Sequence, residues 1–195
     1  MIPRMSAATT PTTAPDNGST LKGTLVIALI AVLFWQGLPW LNSRIPDAAT
    51  VPGGTRISLG RGVSYATAAG WAEELSKTKP NETSSLVRET AVFTITTLDW
   101  QANERELVDR AKQLFEGAGQ FHVYGPEVPF QTADGQRGVH FAIHGGHTEG
   151  RVWLVLLKGR KHAIAARLRG APGYLQTALP DAQAMLGSIR VEAAP

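Results

Sequence analysis

The chain has 195 residues, 43% of them hydrophobic and 18% charged, with a formal net charge of +3 and no cysteine. That leaves room for one domain of ordinary size plus an appendage, and excludes a wholly disordered chain and a multi-span membrane protein. It also excludes a disulfide framework, a thiolate metal site and a cysteine nucleophile, and the small scattered positive excess gives no footprint for nucleic acid.

Residues 1–22 read as a disordered tail. The stretch 6–20, SAATTPTTAPDNGST, cannot bury enough apolar area to offset the entropy of ordering. Gly23 to Leu41 then carries no charge, and Gln36 is its one strongly polar side chain. At the helical rise this run spans roughly 28 Å, about one hydrocarbon core. Trp35 and Trp40 lie towards its end, at the level where amphipathic rings favour headgroups. A single transmembrane helix over 23–41, held in the lipid bilayer, is the expectation. A cleaved signal peptide would need a shorter apolar run and small residues at the cut, and Asp47-Ala48-Ala49-Thr50 supplies the second poorly. A lipidated anchor would need a cysteine. Lys22 directly abuts the apolar run, which favours a cytoplasmic N-terminus and an extracytoplasmic C-terminal domain. Residues 42–55, with Pro46, Pro52, Gly53 and Gly54, read as a linker.

The folded domain is expected over 56–195. Its clearest element is a helix at 103–116, with Asn103 as cap and Glu106 at capping-box spacing. Leu107, Val108, Ala111, Leu114 and Phe115 form its apolar stripe, and Gly117 is its expected stop. Glu106 with Arg110, and Asp109 with Lys112, are expected to pair on its solvated face. Strand patterns occur at 63–66, at 86–98 as two strands or one bent one, and at 121–130, where Pro126 and Pro129 suit an edge. Residues 139–144 alternate in polarity, and 152–157 is apolar on both parities, as a strand covered on both faces would be. A turn at Lys158-Gly159-Arg160-Lys161 leads to a returning strand at 162–168. A second helix follows over 173–186, either broken at Pro180 or restarting there, and a strand at 188–192 closes the chain. Short hairpin links imply antiparallel pairing, so the fold class is α+β: an antiparallel sheet flanked by two helices.

This order resembles that of the PsbP-like superfamily. The resemblance covers residues 56–192 and is carried by Gly62-Val63-Ser64-Tyr65, Gly70-Trp71, the 103–116 helix and Met185-Leu186-Gly187-Ser188-Ile189-Arg190. Small actinobacterial membrane-anchored and lipoprotein members are nearest in style, and a transmembrane anchor here stands in place of a lipidated cysteine. The resemblance implies a layered sheet-and-helix sandwich used as an export-side binding or scaffolding domain, with no shared catalytic residues to carry over.

Two clusters are candidates for chemistry. His140, His144 and His147 lie close together in sequence. On a strand, His140 and His144 stand roughly 13 Å apart, too far for one metal. His144 and His147 could meet across Gly145-Gly146, but a zinc site needs a third protein ligand, and Glu149 or His122 is only a possible one. A polar sheet face running into a glycine turn is the commoner meaning of such a cluster. The second candidate is basic: Lys158, Arg160, Lys161, Arg167 and Arg169, with no acidic residue among them. On a strand Lys161, Ala163, Ala165, Arg167 and Arg169 share a face, a positive strip suited to lipid headgroups or an anionic envelope polymer. Solvated charge at a sheet edge is the plainer explanation, and a helix covering the strip would change its meaning.

No G-x-S-x-G, phosphate-binding loop, dinucleotide fingerprint or H-E-x-x-H occurs. Trp71, Trp100 and Trp153 fall in strand or turn patterns and are expected in the core. The expected function is therefore that of a single-pass, membrane-anchored, non-enzymatic domain that binds or scaffolds an envelope partner protein, with no cofactor. An anionic-ligand module built on 158–169 is the alternative, and a metal-dependent enzyme built on His144 and His147 comes third.

Overall fold

The structure, a computed structural model, describes residues 47–157, 159 and 161–192. The expected tail and the membrane span at 23–41 lie outside these residues, as do Lys158 and Arg160. Among the described residues no helix is long and apolar enough to cross a membrane.

Among the described residues eleven strands and two helices follow in order: β1 (Ala48–Thr50), β2 (Arg56–Ser58), β3 (Val63–Ala66), β4 (Ala72–Glu74), β5 (Thr83–Arg88), β6 (Ala91–Asp99), α1 (Glu104–Gly117), β7 (His122–Gln131), β8 (Arg137–Gly145), β9 (Thr148–Leu156), β10 (His162–Gly170), α2 (Pro172–Gly187) and β11 (Arg190–Val191). Eight form one sheet in the order β1-β4-β5-β6-β10-β9-β8-β7, and β11-β3-β2 form a second, small sheet. Every pairing is antiparallel. The fold is thus the expected α+β arrangement of sheet and two helices.

Several details differ from expectation. The sheet starts inside the stretch read as a linker, because Ala48–Thr50 pairs with β4. The run at 86–98 is two strands, turned at Glu89, which sits at φ +54°. The closing strand joins β3 in the small sheet, where Ser188 Oγ accepts from the Ala66 N–H at 2.8 Å. Helix α2 runs unbroken through Pro180 and begins with Pro172 in its first turn, where the missing N–H costs nothing.

Alternation along each strand sends side chains to two faces, and each face has its own core. On one, Phe93, Ile95, Trp153, Val155, Ile164 and Leu168 pack with Leu175, Ala182 and Met185 of α2, and with Tyr65 and Trp71. On the other, Val152, Leu154, Phe141, Ile143 and Ala163 pack with Leu107 and Val108 of α1. Strand β9 is buried on both faces, which explains its unbroken apolar run. Trp71 and Trp153 are core residues, and Trp100 is partly buried against the α1-side core.

Helix α1 keeps its predicted cap. Asn103 Oδ1 accepts the Glu106 N–H at 2.9 Å, and its amide donates to the Glu106 carboxylate at 2.7 Å. The chain leaves the helix through Ala118 and Gly119, the latter at φ +65°, so the left-handed exit falls two residues after Gly117. The expected ion pairs are rearranged. Arg105 pairs with Asp109 along the helix, and Lys112 reaches Glu127 of β7. The Lys112 pair ties α1 to the sheet, which no pairing within the helix could do.

Candidate functional site

The two helices leave opposite quarters of the large sheet open. Helix α1 lies against β7 and β9, whereas α2 lies against β6, β9 and β10 on the other face. Beside α1, towards β6, the sheet falls away into a groove of about 310 Å³. Beyond α2, over β7 and β8, a patch of aromatic and imidazole side chains stands open.

The groove has apolar walls. Leu98, Leu154 and Ala165 come from the sheet, and Leu107, Ala111 and Phe115 from the helix. Ala111 and Ala165 both line it, and larger side chains at these positions would narrow the gap. Leu114, 61% exposed, forms a lip. Two guanidinium groups border the cavity, Arg167 from β10 and Arg110 from α1, and none of the lining residues is acidic. Arg167 lies 5.9 Å from the Phe115 ring centroid. Partial burial, and after it the charge of Arg169, lower its pKa from the usual guanidinium value. It nevertheless stays a cation at neutral pH.

This groove contains part of the predicted basic strip. Ala163, Ala165, Arg167 and Arg169 do share a face of β10, as alternation required. That face is the one beneath α1, so Ala163 is buried in the core and Arg167 is held against the helix. Lys161 stands exposed in the bend just before the strand. The strip read as meeting lipid headgroups, an anionic polymer or solvent is a covered floor at Ala163, with Arg167 at the mouth of the groove. Arg110 was expected to pair with Glu106, whose carboxylate instead accepts from Asn103.

The histidines lie across the sheet on its α2 side. Register sets His122 of β7 opposite His144 of β8, and His144 opposite Glu149 of β9. The row includes both residues considered as a third metal ligand. Among the described residues, however, no group of three His, Cys, Asp or Glu is placed to hold a metal. His144 is exposed and meets the Tyr124 ring edge-on at 6.5 Å. His147 is exposed in the tight β8–β9 turn. His140 lies between the rings of Phe130 and Trp153, at 6.3 and 6.2 Å. Burial first, and Arg151 second, lower its pKa from 6.5. Beside these histidines Tyr124 and Val128 remain 49% and 40% exposed.

No protein-family model and no curated protein matches the sequence. Solved structures of similar architecture are known. Cyanobacterial PsbP (CyanoP) from Synechocystis superposes with a TM-score of 0.54 at 12% identity, covering 73% of this chain and 94% of that one. The Ran-binding protein Mog1p from Saccharomyces cerevisiae gives 0.54 at 11% identity, covering 72% and 96%. At such identities the likeness is one of fold: the described residues have the PsbP-like α+β fold.

Proposed function

We propose that this protein is a single-pass, membrane-anchored, non-enzymatic domain that binds a partner protein of the cell envelope. Residues 23–41 hold it in the bilayer, and its folded part lies outside the cytoplasm. The observation that carries the reading is the open β7–β8 quarter of the sheet. There Tyr124 and Val128 stay exposed next to His140 and His144, and no described element lies over them. Tyrosine and exposed aliphatic groups set on a rigid sheet are characteristic of protein-binding surfaces. The similarly folded Mog1p is a Ran-binding protein, which lends the fold a precedent for holding a protein partner.

The test is affinity capture of the full chain from native membranes, beside a Tyr124→Glu, Val128→Glu double variant. The unaltered chain should bring down a specific envelope or membrane protein, and the variant should lose it while keeping its far-UV circular dichroism. Recovery of nothing above background contradicts the proposal. A second reading, binding of an anionic ligand, is favoured by Arg167 at the mouth of the groove.

A further inference from the structure

We propose that the groove between α1 and strands β6 and β10 binds a small amphipathic anion, an acyl or similar apolar body ending in a carboxylate or phosphate. The body lies along Leu107, Ala111 and Phe115, and the headgroup meets Arg167.

The cavity comes first. A volume of about 310 Å³ reaches the lower end of the range for ligand pockets, ~300–1,000 Å³. Such pockets pair mainly apolar walls with a few placed polar groups. Interiors are otherwise close-packed, so apolar walls facing an open gap forgo contacts that an apolar guest would restore.

Charge then selects the guest. Three cations elsewhere in the domain have carboxylate partners: Arg61 with Asp99, Arg88 with Asp181, and Lys112 with Glu127. For Arg167, as for its half-buried like-charged neighbour on the strand, Arg169, no carboxylate partner occurs among the described residues, and the charge of Arg169 acts on it unfavourably. Withdrawing a guanidinium from water without a counter-charge is unfavourable, and an anion in the groove offsets that cost. A planar guanidinium also matches the geometry of a carboxylate or phosphate. Arg110 adds positive charge on the opposite wall. Cross-strand register places the Thr94 hydroxyl beside Arg167 as a further donor. An uncharged apolar guest would leave these groups unanswered, and a free inorganic anion would leave the walls empty.

The site is on the opposite sheet face from the Tyr124 patch, so it stands or falls independently of the partner-binding proposal. The test uses the full chain in phosphatidylcholine nanodiscs, probed with a diazirine-bearing octanoate and mapped by mass spectrometry. Labelling should saturate at one probe per chain, on peptides containing Leu107 to Phe115 and Ala165. Unlabelled octanoate should compete at least tenfold better than 1-octanol. Arg167→Gln should weaken labelling at least tenfold, and Arg167→Lys should retain part of it. Ala165→Leu should abolish it by filling the groove, with circular dichroism confirming the fold. Repeating the competition in nanodiscs containing phosphatidylglycerol separates the sources of ligand. Loss of labelling there assigns the site to membrane lipid, and unchanged labelling assigns it to free acids. Equal competition by octanoate and octanol, or labelling untouched by Arg167→Gln, overturns the proposal.

Discussion

Trp71 donates its indole N–H to the carboxylate of Asp181 at 3.2 Å, joining the turn before β4 to the middle of α2. Arg88 from β5 pairs with the same carboxylate, donates to the Thr177 carbonyl at 3.0 Å, and lies 5.0 Å over the Trp71 ring. One carboxylate therefore holds α2 to the sheet just after Pro180, where a helical hydrogen bond is missing. Asp181→Ala leaves a buried indole N–H without its acceptor and should cost about 1–3 kcal/mol. Asp181→Asn keeps an acceptor and should cost less, since the ion pair is partly exposed and screened. Chemical denaturation of the two variants against the unaltered protein checks both the sign and the order.

The cap of α1 is a separate, local contribution. Asn103→Ala removes the acceptor for the Glu106 N–H and should destabilise the domain by about 1 kcal/mol. Asn103→Asp should restore most of that loss, because an acidic cap also complements the helix N-terminus. Urea unfolding midpoints at constant m-value give the comparison.

Gly145 closes β8 against the chain entering β7, and a Cβ there would run into the Gln120 carbonyl and the Phe121 ring. Backbone cannot yield as a side chain does, so Gly145→Ala should cost at least about 2 kcal/mol. Thermal unfolding should show a clear fall in Tm, and an unchanged Tm would mean that the hairpin end is not packed as described.

His140 makes stability depend on pH. Its folded-state pKa lies below 6.5, so the unfolded chain binds the proton more readily. Its contribution is fully present above about pH 6.5 and is lost as pH falls through the folded-state value. Denaturation measured from pH 7.5 down to pH 5 should therefore show a slope that His140→Gln makes shallower. A variant with the same slope as the unaltered protein would assign the dependence to other groups.

Local patterns in the sequence carry much of this fold. Asn103, Glu106 and the Leu107–Phe115 stripe announce α1, and the double-parity apolar run at 152–157 announces a strand covered on both faces. The three-residue strands β1, β2 and β4 carry no such pattern, because only their distant partners make them strands. The groove was half legible. Period-two spacing correctly grouped Ala163, Ala165, Arg167 and Arg169, but it does not say on which face a helix will land. Arg110 was missed as a groove residue for the same reason. Its adjacency to Ala111 and Leu114 was visible, whereas the orientation of α1 over β10 depends on tertiary packing. The histidine row also needed register to appear, since His122 and His144 lie in strands whose pairing the sequence leaves open.

The central claim, that the open β7–β8 quarter holds a partner protein, is tested most directly by in-cell photo-crosslinking. A photoreactive amino acid replaces Tyr124 in the full chain, with the exposed Lys77 position as control. The expected result is one dominant adduct to an envelope or membrane protein from position 124 and none from position 77. No adduct from position 124, or the same adducts from both, would contradict it.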